Sequence, residues 1–245
     1  MIVTSLKDGK KYFWVKVPRT ATHSYKKLFF PTVDGVKIIH NHVPYFLLKN
    51  ATCENKPNVE SGFSVVRHPY HRFVSALRYI KLKHDNPFKF KDTKQLLTIC
   101  EFCGTETTIG EQDFFNSINT SGMNLLENET TFYDFIYSHF DKNCMMKAGY
   151  TWDTILDTNA PSMLPIMFET QTYFAYHPHV KTFKYENLQE FNAWIESTLG
   201  YSTKTLDIRN TSKDIQLNID VTTKKFKDLV KYLFHEDFKV FGYDI

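Results

Sequence analysis

"KYFWVKVPRTATHSYKKLFF", Lys11 to Phe30, changes character midway, and that change decides the fold. Its first seven residues are mostly β-branched or aromatic and stop at Pro18, as a buried strand would. "THSYKKLFF" then has helix-compatible spacing behind polar N-terminal residues. The same succession recurs in "SGFSVVRHPY", a short strand ending near Arg67, with Pro69 at a turn or first helical position. "RFVSALRYIKL" follows, placing Phe73, Leu77 and Ile80 on one helical face. A third strand, "VKTFKY" (Val180–Tyr185), leads into "NLQEFNAWIESTLG", where Leu188, Phe191, Ile195 and Leu199 line one side and Gly200 is the stop. Phe226, Leu229, Val230 and Leu233 mark an amphipathic helix near the end. Strands alternating with helices predict an α/β fold with a central, mainly parallel sheet flanked by helices. No repeat, low-complexity tract or linker divides the chain, so one domain over 1–245 is expected. Residues 92–172, roughly, read as a mostly helical, irregular insertion whose order pattern alone does not give.

Composition narrows the class. Apolar residues make up 42% and aromatics 16%, enough for a packed globular body and against disorder. The net charge of +3 is too small to indicate nucleic-acid binding, and none is expected. No apolar window of roughly 18 residues is present and "MIVTSLKDGK" lacks an apolar core, so the chain reads as soluble or cytoplasmic, without a transmembrane segment or signal peptide. Four cysteines, Cys53, Cys100, Cys103 and Cys144, are too scattered for a disulfide scaffold. Cys100 and Cys103 form a C-x-x-C without the second pair a zinc ribbon needs.

Two strand-to-helix junctions carry anion-compatible residues, at the ends of strands where parallel sheets bind ligands. "KVPRTATHS" supplies Arg19, the hydroxyls of Thr20, Thr22 and Ser24, and the open N–H groups of a helix start, a combination that can bind a phosphate or sulfate without metal. In "VVRHPYHRFVSALR", Arg67 ends the strand, and Ser75 lies about two turns into a helix whose side chains lean back toward its N-terminus. Each has a plainer alternative, a helix cap for the first and a solvated arginine for the second. Neither a G-x-x-x-x-G-K-[ST] loop nor a G-x-G-x-x-G turn is present, which counts against ordinary nucleotide sites. "HNHVPYF", His40 to Phe46, adds a histidine pair that is open to structural, metal and catalytic readings.

Together these segments resemble the sulfotransferase superfamily that uses 3′-phosphoadenosine 5′-phosphosulfate (PAPS). "VPRTATHS" is similar to its 5′-phosphosulfate loop, commonly P-K-T-x-x-T-S, and "VVRHPYHRFVSALR" to its 3′-phosphate motif, R-[DH]-P-x-x-R-x-x-S. "HNHVPY" resembles the H-x-H-V-x-Y segment of uronyl 2-O-sulfotransferases acting on heparan and dermatan sulfate. Weaker similarity continues in "FETQTYF", "FKYENL" and the closing "FHEDFKVFGYD". The resemblance implies the P-loop-like sulfotransferase fold, with the insertion on the acceptor side. It implies Arg19, Thr20, Ala21, Thr22, His23 and Ser24 around the 5′-phosphosulfate, and Arg67 with Ser75 on the 3′-phosphate. Asn210, Ser212 and Lys213 fall where the family has a loop over the nucleotide. Arg19 replaces the usual lysine and His23 a threonine; an arginine stabilises charge but donates no proton at working pH.

The implied activity is sulfuryl transfer from PAPS to a hydroxyl, with a carbohydrate as expected acceptor and 3′,5′-ADP as the second product. Fixing the donor in line, removing the hydroxyl proton and stabilising the departing oxygen require no metal. His42 aligns with the family's second histidine and is expected as general base, with His40 orienting it or touching the acceptor. On an extended segment positions i and i+2 share a face, so both can address one cleft. Lys16, Arg72 and Arg78 are candidates for attracting an anionic acceptor. His68, His71, His177 and His179 could add ligands to a zinc site, but no cysteine or carboxylate cluster accompanies them and no metal is expected. Two other functions stay open: a nucleotide-dependent phosphotransferase, against which the missing Walker lysine counts, and a non-catalytic module binding glycan or polyanion.

Overall fold

The computed structural model describes residues 2–29, 45, 59, 61–85, 94–98, 106–110, 128–139, 169–206 and 213–244. Within these the fold is mixed α/β. Strand β1 (Ile2–Thr4) precedes β2 (Lys11–Val15) and α1 (Thr22–Phe29), and β3 (Gly62–Val66) runs into α2 (Pro69–Asp85). The short strands β4 (Lys94–Thr98) and β5 (Glu106–Gly110) pair with each other as a two-stranded sheet. Helices α3 (Glu129–His139) and α4 (Gln171–Ala175), strand β6 (Val180–Lys184) and helix α5 (Leu188–Trp194) come next, and α6 (Lys224–Leu233) and α7 (His235–Phe241) close the order.

The chain divides into two compact units built from interleaved segments. One holds the sheet of order β1-β2-β3-β6 with α1, α4 and α5; the other holds α2, α3, α6 and α7. The sheet is mostly parallel, as its sequence pattern predicts. β2 aligns with β3 (Phe13 opposite Gly62, Val15 opposite Ser64), and β3 aligns with β6 from Gly62–Val180 to Val66–Lys184, both pairs parallel. β3 is buried along its whole length, which suits its mostly apolar sequence between two neighbours. Its one hydroxyl, Ser64 Oγ, donates to the Val15 carbonyl at 2.7 Å.

Strand β1, not foreseen in the sequence, adds antiparallel to β2. The chain after it closes the far end of α5. The predicted helix over "NLQEFNAWIESTLG" forms, but its last turn widens to a π-helix over Ile195–Leu199. The end carbonyls of such a helix lack partners of their own. Here Lys7 Nζ donates to Ser197 O (2.6 Å), Ser5 Oγ to Thr198 O (3.2 Å) and Leu6 N to Leu199 O (2.7 Å). Gly200 then turns out at φ 79°, where a side chain would be strained. Phe191, Ile195 and Leu199 are fully buried on the predicted face, among Tyr25, Phe63 and Phe183.

In the helical unit, α2 contributes Phe73 and Leu77, α3 Phe132 and Ile136, and α6 Phe226, Leu229, Val230 and Leu233 to one core. Asn128 caps α3 by accepting from Thr131 N at 2.9 Å, and Thr223 caps α6 by accepting from Phe226 N at 3.2 Å. The expected mostly helical character of 92–172 is modified by β4 and β5. Runs of five residues are too short for periodicity to separate strand from helix. Among the described residues no helix is long and apolar enough to cross a membrane.

Candidate active site

At the carboxyl end of β2 the chain leaves the sheet through Lys16, Val17 and Pro18, all buried. It then turns through two residues in the left-handed region, Arg19 (φ 68°) and Ala21 (φ 61°). Such a conformation costs a non-glycine residue about 1–2 kcal/mol, and strain of this kind concentrates at ligand-binding loops. Two contacts within the unit hold the turn. Thr20 Oγ1 donates to the Val17 carbonyl at 2.8 Å in a buried position, and Arg67 Nη1 donates to the Arg19 carbonyl at 3.4 Å.

The turn delivers the chain into α1. No acidic residue occupies its first turn, and Lys26 and Lys27 lie in its last. Ser24 and Tyr25 N–H groups both reach back to the Ala21 carbonyl (3.0 and 3.3 Å). Among the described residues no hydrogen bond engages the hydroxyls of Thr22 or Ser24, so both can serve a ligand, whereas Thr20 spends its proton on the loop itself. The His23 imidazole is held below its ordinary pKa, first by desolvation and then by Lys27 and Lys26. An anion docking at this helix start would reverse that direction.

Arg67 stands one residue beyond β3, on the same edge of the sheet. Its guanidinium lies over the Tyr185 ring, 4.4 Å from the centroid. Its main chain is held by Gln171, which is fully buried: Arg67 N donates to Oε1 and Nε2 donates to Arg67 O, each at 2.7 Å. The next N–H, that of His68, donates to Glu186 Oε1 at 2.9 Å. The two junctions singled out in the sequence thus meet at one place, through the Arg67–Arg19 contact. Gln171, Tyr185 and Glu186 were not assigned roles from sequence, although "FETQTYF" and "FKYENL" contain them. A glutamine bonding a backbone leaves no spacing to recognise.

Lys16 is buried at 2% exposure, its ammonium 5.9 Å from the Trp14 ring centroid. In the helical unit Ser75 is buried on α2 and Arg78 is half-buried on the same helix. Arg72 is fully buried there. Its guanidinium donates to the Glu169 carbonyl, approaches the equally buried Asp237 carboxylate at 4.0 Å and lies over Phe234. That environment ties α2 to α7 and leaves Arg72 no solvent-facing surface for a docking acceptor. Lys213 is exposed. His40, His42, Asn210 and Ser212 lie outside the described residues, as do all four cysteines.

Tyr45, of the "HNHVPYF" segment, is described and buried. Its ring meets Phe13 edge-on at 5.8 Å and His177 at 4.5 Å, and it covers Gly62, where an added Cβ would stand 3.1 Å from the ring. His179 N donates to His177 Nδ1 at 3.2 Å. Among the described residues no group of three or more His, Cys, Asp or Glu is placed to hold a metal ion. No family model, no curated protein and no solved structure matches the chain.

Proposed function

We propose that the protein is a PAPS-dependent sulfotransferase of P-loop-like fold, transferring the sulfuryl group to a hydroxyl, with a carbohydrate as acceptor. The observation that carries this is the contact between Arg67 and the Arg19 turn at the carboxyl edge of a mostly parallel sheet. A strained turn opening into a helix start without acidic residues suits the 5′-phosphosulfate, through backbone N–H groups and the free hydroxyls of Thr22 and Ser24. Arg67, held rigidly beside it, suits a second anionic group on the same ligand, the 3′-phosphate that distinguishes PAPS from ATP. The sequence resemblance also implies Ser75, Asn210, Ser212 and Lys213 as donor contacts.

In the transfer step, the acceptor oxygen attacks sulfur in line as the sulfur–oxygen bond to the 5′-phosphate breaks. His42 takes the hydroxyl proton, and Arg19 and the helix start stabilise the charge left on the phosphate. His40 orients that base. Arg78 is retained as an acceptor contact; Lys16 and Arg72, both buried, are not.

Thermal unfolding with added nucleotide tests the donor. At about 100 times its dissociation constant, 3′,5′-ADP should stabilise by about 2.7 kcal/mol. ADP and ATP should do far less. A response to ATP with magnesium alone would favour a phosphotransferase, and no nucleotide response a binding module. In the same assay His42→Ala should keep its response to 3′,5′-ADP while losing turnover of labelled PAPS; undiminished turnover would remove His42 as base.

A further inference from the structure

We infer that Gln171 is the positioning residue of the Arg67 site: its buried carboxamide fixes the direction in which the guanidinium leaves the sheet. The inference rests on the proposed binding of a 3′-phosphate by Arg67.

The hydrogen-bonded ladder between β3 and β6 ends at Val66 opposite Lys184. Arg67 is therefore the first residue past that ladder, although its side chain needs the firmest placement. Gln171 takes up its main chain there. One carboxamide both accepts from Arg67 N and donates to Arg67 O, the pair of bonds a neighbouring strand would supply. Its complete burial keeps water from competing for either bond. Glu186 continues the substitution by accepting from His68 N, and the Tyr185 ring supports the guanidinium from its face. The guanidinium so directed also donates to the Arg19 carbonyl. A glutamine satisfies both bonds at once; glutamate offers acceptors only, and a carboxylate would face the Arg67 carbonyl.

A double-mutant cycle tests this by titrating 3′,5′-ADP and ADP against the wild type, Gln171→Ala, Arg67→Ala and the double variant. Gln171→Ala should weaken 3′,5′-ADP about tenfold, the scale of a lost hydrogen-bond pair, and leave ADP unchanged. In the Arg67→Ala background the same substitution should change neither affinity, since it acts through that side chain. Gln171→Glu, of matched size, should reproduce the pattern and serves where the alanine variant does not fold. An equal loss in both backgrounds, or no loss in either, overturns the inference. A wild type that does not prefer 3′,5′-ADP over ADP overturns the site reading itself, and that result is seen before any variant is made.

Discussion

Ala21 holds a methyl group at φ 61°, where an L-residue is normally disfavoured, and it does so two positions after Arg19 at φ 68°. Because the proposed contacts of this turn run through its backbone, a change of side chain at position 21 tests the conformation itself. A valine there adds a branched Cβ to the disfavoured conformation and should cost about 1–2 kcal/mol in urea unfolding. A glycine removes the strain but frees the unfolded chain by about 0.4–1 kcal/mol, so it should leave the midpoint nearly unmoved. Equal losses for the two variants would show that this backbone is not held left-handed. At the same scale, Arg19 and Arg67 were legible in the sequence because a cation at a strand-to-helix junction is a pattern. Gln171, Tyr185 and Glu186 were not, because each acts on residues more than a hundred positions away that only the fold brings close.

Helix α6 shows what periodicity can and cannot carry. Its buried stripe of Phe226, Leu229, Val230 and Leu233 was readable from spacing alone, as were β2 and β3 from their mostly apolar sequence. Phe226 is fully buried, with Phe73 and Phe132 stacked at 5.8 and 6.1 Å and Tyr70 edge-on at 5.9 Å. Phe226→Ala should lower stability by about 3–5 kcal/mol, and Lys227→Ala, on the exposed face, by no more than about 0.5 kcal/mol. Comparable effects from both would contradict the packing. The π turn after α5 and the three-residue β1 escaped sequence reading for one reason. Each exists because of a partner remote in the chain, the Ser5–Lys7 stretch for the first and β2 for the second.

For the molecule as a whole, the interleaving of the two units sets how it unfolds, because releasing one leaves the other's segments tethered through it. Trp14 and Trp194 report the sheet unit, and among the described residues α2, α3, α6 and α7 carry most of the helix that far-UV dichroism reads. In a Trp152→Phe background, the two signals should trace coincident urea transitions; separated midpoints would show units that melt on their own. The space above Gly62 has a different consequence. Tyr45 lies over it because no Cβ is there to compete, and Tyr45 belongs to the stretch that carries both paired histidines. Position 62 is thus an address written by an omission. One extra carbon there would press at once on the Tyr45 ring and on the Phe13 carbonyl of the neighbouring strand.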